Sequence, residues 1–364
     1  MENSAKIKVQ KLIREIASAD LEASKQAQIY IDGLVKPPGS LGRLESVGAK
    51  IAGITGKIKN KLPKKCIIVM CSDNGVVEEG VASAPKSVTL MQTLNFAKGI
   101  AGVSVLANQV NADVIIVDVG VDADIDDSKV IDRKIRKSTW NISKGPAMTY
   151  EEACQAILIG INMVKHAKDE GYQVIGTGEM GIGNTSTSSA ILTAYTGLST
   201  DKTVGKGAGA SEETYNLKKA IVSKAIEVNQ PNLHDPIDVV AKLGGFDIAA
   251  LAGVFIGAAY YRIPVIMDGF ISSIAALIAI KLNDKVKDYI IESHASEEQG
   301  FSHLMQEMGM QPMFNMGMRL GEGSGCPLTF TVIDLACAMV NEMATFGEAQ
   351  IDKKYLEQIS EFEF

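Results

Sequence analysis

Short apolar runs alternate with longer helical patterns along most of the chain. Strands are predicted at five apolar, mostly β-branched runs: Cys66–Cys71, Val114–Val119, Tyr172–Gly176, Pro264–Met267 and Tyr289–Ile291. Helices are predicted between them at Thr89–Gln109, Tyr150–Asp169 and Asp247–Tyr260. Strands that are apolar on both faces and separated by helices indicate a parallel sheet that is covered on both sides. The pattern therefore predicts an α/β fold with a Rossmann-like sheet and helices on both faces.

The two ends of the chain carry a more polar helical pattern. Residues 5–33 predict two short helices, and the segment after about residue 335 is also helical in pattern. Ser40 is a candidate N-cap for a helix that begins near Leu41. We therefore expect a small helical domain built from both chain ends and a large α/β catalytic domain. The expected bounds are 1–60 with 335–364 for the small domain and 61–334 for the large one.

Composition indicates a globular protein without nucleic-acid or membrane partners. The apolar fraction is 46 %, the charged fraction is 22 %, and the net charge of −7 is spread along the chain without a basic stripe. The longest apolar stretch, Ile248 to Tyr261, has about 14 residues, fewer than the roughly 20 that span a bilayer. The N-terminus lacks the apolar core of a signal peptide, and the five cysteines form no C-x-x-C pair. We therefore expect a cytoplasmic protein with reduced thiols.

A glycine-rich segment, GTGEMGIGNTS at residues 176–186, follows a predicted strand and opens a predicted helix. Glycines allow an anion to approach the backbone closely, and a helix N-terminus supplies oriented N–H groups, so a phosphate is the expected ligand. A second cluster around Gly207, with Lys218 downstream, could complete the phosphate site or form a flexible surface loop. The first segment could also be a tight turn without a ligand, and it lacks the acidic residue that a dinucleotide site requires about 20 positions later.

A single carboxylate, Glu322, lies among three glycines in the segment GEGSG beside a methionine-rich stretch. Burial there would raise its pKa toward the range of a general base, whereas the alternative is a solvated loop residue. The methionines between Met305 and Met318 could line a pocket for a flat ligand or fill the core. Ser296, in the segment Ser293–Gly300, is expected to cap a surface helix, because no nucleophile elbow accompanies it. The four histidines have no metal-ligand spacing, so no metal and no cofactor are expected.

Seven segments, in this order, resemble the nicotinate-nucleotide–dimethylbenzimidazole phosphoribosyltransferase family. They are IDGLVKPPGSLGRLE (31–45), VMCSDNGVVEEGV (69–81), PKSVTLMQ (85–92), GTGEMGIGNTS (176–186), DVVAKLGGFDIAALAGV (238–254), PVIMDGF (264–270) and NMGMRLGEGSG (315–325). The resemblance runs from about Ile31 to about Gly347. It implies a homodimer in which Glu322 is the catalytic base.

The resemblance and the glycine segments together give the candidate site. The residues expected at the donor phosphate and ribose are Gly176, Gly178, Glu179, Gly181, Asn184, Thr185, Gly207, Lys218 and Asp268. The residues expected at the acceptor base are Asp73, Ala84, Gln92, Met318 and Leu320. The implied reaction transfers the 5-phosphoribosyl group of nicotinate mononucleotide to 5,6-dimethylbenzimidazole. Its products are nicotinate and α-ribazole 5′-phosphate, an intermediate of cobamide (vitamin B12) nucleotide-loop assembly.

The chain departs from the family pattern at Ala84, where members commonly have Ser before the Pro; here Ser83 stands one position earlier. A hydroxyl contact to the base ring is therefore expected to be missing, which leaves the acceptor open. Alternatives are another benzimidazole, a purine or a phenolic base. A non-catalytic nucleotide-binding subunit is a further alternative, which the intact Glu322 disfavours. An NAD-dependent dehydrogenase rests on the glycine-rich turn alone.

Overall fold

The computed structural model of the chain describes residues 4–206 and 211–352. Its strands are β1 (Lys65–Ser72), β2 (Ala112–Gly120), β3 (Val130–Asp132), β4 (Val174–Met180), β5 (Val265–Met267), β6 (Ile290–Glu292), β7 (His294–Ser296) and β8 (Phe314–Met318). Its first seven α-helices are α1 (Ser4–Arg14), α2 (Leu21–Asp32), α3 (Arg43–Thr55), α4 (Val88–Lys98), α5 (Gly102–Gln109), α6 (Tyr150–Asp169) and α7 (Asn184–Thr196). The others are α8 (Thr200–Thr203), α9 (Glu212–Asn229), α10 (Pro236–Leu243), α11 (Phe246–Tyr261), α12 (Phe270–Leu282), α13 (Phe301–Met308) and α14 (Cys326–Glu342).

Six strands form one parallel sheet in the order β3-β2-β1-β4-β5-β6. The predicted parallel, Rossmann-like α/β fold is thereby confirmed. Every residue of β1 and β4 is buried, as expected of central strands that are covered on both faces. The chain order reverses direction between β1 and β4, and ligands of such sheets bind at that switch point, outside the carboxyl ends of the strands.

Two glycines explain why α6 and α11 pack so closely. α6 begins with a capping box in which Thr149 and Glu152 bond each other's backbone N–H groups. Nearly all of α11 is buried. A Cβ added to Gly160 of α6 would collide with Ala250 O, and one added to Gly253 of α11 would collide with Ile157 O. The two helix backbones therefore touch where they cross.

Three local predictions differ from the structure. The predicted helix Thr89–Gln109 is two helices, α4 and α5, because the chain turns at Gly99 with φ of +77°. The predicted Ser296 cap is wrong, since His294–Ser296 is strand β7, which pairs in parallel with β8. The predicted Ser40 cap is also wrong. Helix α3 begins at Arg43, and the Glu45 carboxylate accepts hydrogen bonds from the Gly39 and Leu41 N–H groups instead.

The described residues form two compact units. One contains the sheet and comprises the chain up to Ala17 together with Lys64–Thr329. The other comprises Ser18–Pro63 and the chain from Phe330 onward. The core of this second unit consists of Ala27, Ile31, Leu34, Ala49, Ala52, Met339 and Val340.

Helix α1, which the sequence pattern assigned to the small helical domain, belongs to the unit that contains the sheet. Its buried residues Val9 and Ile13 give it an apolar face. The Asn283 amide donates to Ile13 O, and the Tyr289 hydroxyl donates to Ala17 O at 2.9 Å. Within the described ranges, no helix has the length and apolarity needed to cross a membrane.

Candidate active site

A cavity of about 250 Å³ lies at the carboxyl ends of β4 and β5. Its wall brings together most of the residues that the sequence predicted. These are Ala84, Gln92, Glu179, Gly181, Asn184, Thr185, Lys218, Asp268, Leu320 and Glu322. They come from segments far apart in sequence, and the parallel strands bring them together at the carboxyl edge of the sheet.

Other predicted residues lie outside the described wall of this cavity. Gly176 faces Cys326, because an added Cβ would be 2.8 Å from the thiol sulfur. Gly178 lies against the backbone carbonyl of Glu322, where a side chain would collide. The Asp73 carboxylate accepts a hydrogen bond from the Asp122 N–H at 2.7 Å. Met318 ends β8. The predicted ligand contacts of these four residues stay predictions. Gly207 lies outside the described residues.

The methionine-rich stretch is half buried and half at least partly exposed, with Met316 62 % exposed. Met305, Met308 and Met310 are buried, and no methionine between Met305 and Met318 is among the described residues that line the cavity. Met305 and Met310 also line a second, separate pocket, so the burial of these residues leaves both alternatives open outside the active-site cavity.

Glu322 occupies an unusual backbone turn. Its φ of +64° lies between those of Gly321 (+79°) and Gly323 (+89°) in the chain. A residue with a side chain costs about 1–2 kcal/mol in the left-handed region, so surrounding groups must hold it there. The Glu322 N–H donates to Glu179 Oε1 at 3.3 Å, and the Gly323 N–H donates to Asp268 Oδ2 at 3.1 Å. Two buried carboxyl groups thus hold the turn that carries the predicted base.

The Glu322 residue is only 6 % exposed, and its carboxyl has one free oxygen. The Gln92 side-chain amide donates to Oε1 at 2.6 Å. Oε2 has no hydrogen-bond partner among the described residues. Burial raises the pKa of Glu322, while the Gln92 hydrogen bond and, to a smaller extent, the backbone of Val103 oppose that rise. A buried, unpaired carboxylate oxygen with a raised pKa is suited to accept a proton from a ligand.

A second pair of acids consists of Glu179, which lines the cavity, and Asp247, which is fully buried outside the described cavity wall. The Asn184 side-chain amide donates to Glu179 Oε2 and to Asp247 Oδ2, the latter at 3.1 Å. Burial, followed by the charge of Asp247, raises the pKa of Glu179 to about 8. Burial also raises the pKa of Asp247 to about 7. The pair therefore retains a proton at neutral pH, which reduces repulsion toward an anionic ligand.

The part of the cavity wall around Lys218 is suited to an anion. The buried Lys218 ammonium donates to Thr185 Oγ1 at 2.9 Å and to Gly205 O at 3.1 Å. Burial lowers the pKa of Lys218, and the nearby charge of Glu298 opposes that change. Helix α7 begins at Asn184, and its first residues line the cavity together with Lys206. A cation beside a helix N-terminus is a common phosphate site.

Several residues were not predicted: Glu298, Arg319 and His294 line the cavity, and Asp247 contacts it through Asn184. His294 is buried, and its Nδ1 lies 3.3 Å from Ser293 Oγ and 3.9 Å from Asp268 Oδ1. Because both partners share one ring nitrogen, these residues cannot form a Ser-His-Asp proton relay. Within the described ranges, no cluster of three or more His, Cys, Asp or Glu side chains could hold a metal ion.

The chain is similar over most of its length to known phosphoribosyltransferases. A family model described as a phosphoribosyltransferase matches residues 16–351. A nicotinate-nucleotide–dimethylbenzimidazole phosphoribosyltransferase of Clostridium perfringens is 51 % identical over 97 % of this chain and 98 % of that protein. The protein of that name from Ruminiclostridium cellulolyticum is 53 % identical over 94 % of this chain and 97 % of its own length.

A solved structure agrees with these sequence relatives. The crystal structure of CobT from Thermus thermophilus aligns with a TM-score of 0.88 at 35 % identity. The alignment covers 91 % of this chain and 99 % of that chain. The two chains therefore share one fold over nearly their whole length.

Proposed function

The chain belongs to the nicotinate-nucleotide–dimethylbenzimidazole phosphoribosyltransferase family, and we propose that it catalyses that reaction in the cavity at the ends of β4 and β5. It transfers the 5-phosphoribosyl group of nicotinate mononucleotide to 5,6-dimethylbenzimidazole. The products are nicotinate and α-ribazole 5′-phosphate, used in cobamide assembly. The protein is thus a pentosyltransferase that acts on two small molecules and needs no cofactor for this step.

One observation carries the proposal: the free Oε2 of buried Glu322 shares a cavity with the anion-binding wall at Lys218. A base is useful only where an acceptor carries a proton, and a phosphate site is useful only where the donor carries a phosphate. A non-catalytic binding subunit would need the second feature but not the first. The glycine-rich turn follows β4 rather than β1, which also disfavours a dinucleotide site.

The chemistry needs a base but no general acid. Nicotinate in the donor is a pyridinium, so it leaves with the electron pair of the glycosidic bond and becomes neutral at nitrogen. The acceptor nitrogen forms the new bond to the anomeric carbon, and the acceptor's N–H proton passes to Glu322 Oε2. Attack from the opposite face converts a β-linked donor into an α-linked product.

The residues of the cavity supply different parts of the acceleration. General-base catalysis typically contributes about 10²–10⁴-fold. Holding the two rings on opposite faces of the ribose contributes much of the remainder. Lys218 and the start of α7 hold the 5′-phosphate while positive charge develops at the anomeric carbon. Glu179 also lines the cavity, but with its pKa raised to about 8 it is mainly protonated at neutral pH and adds little to the stabilisation of that charge.

The acceptor pocket has an apolar side. Ala84, Val88 and Leu320 line it, and Ala84 supplies no hydroxyl for a ring contact. The exposed Ser83 also lines the cavity and could take over that contact. Position 84 therefore leaves other benzimidazoles, purines and phenolic bases as alternative acceptors for the same transfer.

The assay incubates the protein with nicotinate mononucleotide and dimethylbenzimidazole and measures nicotinate and α-ribazole 5′-phosphate by chromatography. We expect equal amounts of both products, and little nicotinate without an acceptor. Competition among dimethylbenzimidazole, adenine and p-cresol identifies the preferred acceptor. Folded protein that binds the donor yet forms no riboside phosphate with any of them would overturn the proposal.

A cytoplasmic homodimer is the proposed working state. The five cysteines are buried and free, which suits a reducing compartment.

The dimer is supported by exposed apolar side chains. Those on α4, α5 and their connection are exposed in the single chain, namely Met91, Ile100, Val105 and Leu106. Such a patch is typical of an interface. Light scattering should give twice the chain mass, and Ile100→Asp with Leu106→Asp should give the monomer; a monomeric wild type would contradict the proposal.

A further inference from the structure

Asp268 uses both of its carboxylate oxygens on the turn that carries Glu322. Oδ1 accepts a hydrogen bond from the Gly325 N–H at 2.7 Å, and Oδ2 accepts one from the Gly323 N–H at 3.1 Å. Asp268 follows β5 directly and is only 3 % exposed. Its own N–H donates to Ser272 Oγ at 3.2 Å. The carboxylate is thus fixed by the sheet edge and bonded to a segment more than fifty residues later in the chain.

The turn requires such support because three consecutive residues, Gly321 to Gly323, have left-handed backbone angles. Glycine adopts these angles freely, whereas Glu322 does not. The bonds to Asp268 begin at the residue directly after Glu322. They therefore fix the direction in which the Glu322 side chain leaves the backbone.

We propose that Asp268 is a positioning residue that acts through Glu322. The inference rests on the proposed transferase function. Both oxygens of Asp268 accept backbone N–H groups of the turn that carries Glu322, although the residue also borders the same cavity. Asp268 therefore orients the base, and an unchanged donor KM in Asp268→Asn is the result that distinguishes this role from a contact to the ribose.

The test is a cycle of Asp268→Asn, Glu322→Gln and the double variant, with turnover and donor KM measured for each. An asparagine at position 268 accepts a hydrogen bond from one backbone N–H but presents its own NH₂ group to the other, so the turn loosens. We expect Asp268→Asn to lower kcat on the order of 100-fold while the donor KM changes less than about twofold. In the Glu322→Gln background the same change should have almost no further effect on kcat.

Asp118→Asn is the matched control. Asp118 is a buried acid of β2 whose Oδ1 also accepts two backbone N–H groups, those of Gly120 and Val121, at 3.0 and 2.9 Å. It lies outside the described wall of the cavity. This variant should lower the melting temperature, as Asp268→Asn does, but leave kcat of the folded enzyme unchanged.

If Asp268→Asn does not fold, Ser272→Ala replaces it in the cycle, because it loosens Asp268 and keeps the carboxylate. Equal kcat losses in the wild-type and Glu322→Gln backgrounds would overturn the inference, as would a raised donor KM at unchanged kcat. These results leave the proposed function intact when the wild type is active. A wild type without transfer activity would overturn both.

Discussion

Replacing Glu322 with glutamine removes the base and little else. The side chain keeps its size, and its carbonyl oxygen can still accept the Gln92 amide, which lies 2.6 Å from Oε1 in the wild type. The hydrogen bonds that hold the turn come from backbone N–H groups and are unaffected. The position of Oε2, which has no partner among the described residues, becomes an NH₂ group that cannot accept a proton.

The expected loss in kcat for Glu322→Gln is the usual contribution of a general base, about 10²–10⁴-fold. This corresponds to about 3–5 kcal/mol of transition-state stabilisation. The donor KM should change less than about twofold, since the anion-binding wall at Lys218 is separate. Because the pKa of Glu322 is raised, wild-type kcat should increase as pH rises through that value, and the variant should lose this dependence.

The assay measures nicotinate release at saturating donor and acceptor over a range of pH. Repeating it with a second acceptor of different basicity separates titration of the acceptor from that of the enzyme. Glu297→Gln, the same change at an exposed carboxylate, is the matched control and should retain wild-type rates. Turnover of Glu322→Gln within about threefold of wild type would refute the assignment of Glu322 as base.

Three further predictions concern the rest of the cavity. Lys218→Met should raise the donor KM by about 10–100-fold, the cost of one charge-assisted contact, and leave the acceptor KM unchanged in steady-state kinetics; an unchanged donor KM would exclude a phosphate contact. Gly102→Ala should lower kcat/KM for the acceptor about threefold, because its Cβ would lie 2.7 Å from Leu320 Cδ2 and displace this exposed side chain of the acceptor pocket. Gly145→Ala, with open space around it, should remain near wild type, and equal effects of both would contradict this reasoning. Glu179, with its pKa raised from 4.5 to about 8, keeps in the folded state a proton that the unfolded chain loses, so stability should fall as pH rises through that interval. Melting temperatures between pH 5 and 9 should show a shallower fall in Glu179→Gln, and an equal slope would count against the buried acid pair.

Local sequence patterns predicted most of the sheet, and the family resemblance together with the glycine-rich segments predicted most of the cavity wall. The runs in β1 and β2 are long and apolar, so their bounds were nearly correct, and the bounds of α6 were confirmed without change. Glu322 was recognisable from its flanking glycines, whose positive φ angles the structure then showed. In each case, the sequence pattern that supports the prediction lies within a few residues of the strand, helix or side chain that it predicts.

Features that depend on distant partners could not be predicted in this way. Strand β7 exists because it pairs with β8. Asp247 looked like one acid in an apolar helix, and its role comes from Asn184, 63 residues earlier in the chain. Gly176 resembled a phosphate ligand, yet the Cys326 side chain occupies the space beside it. Only the folded arrangement distinguishes these uses of the same residue types.

The central claim is that the N–H nitrogen of the acceptor ring donates to the free oxygen of Glu322. A crystal structure with dimethylbenzimidazole bound tests this directly. We predict a ring nitrogen within about 3 Å of Glu322 Oε2 and the ring edge against Leu320. A ring bound elsewhere in the cavity, with its nitrogens more than about 4 Å from either carboxylate oxygen, would contradict the claim.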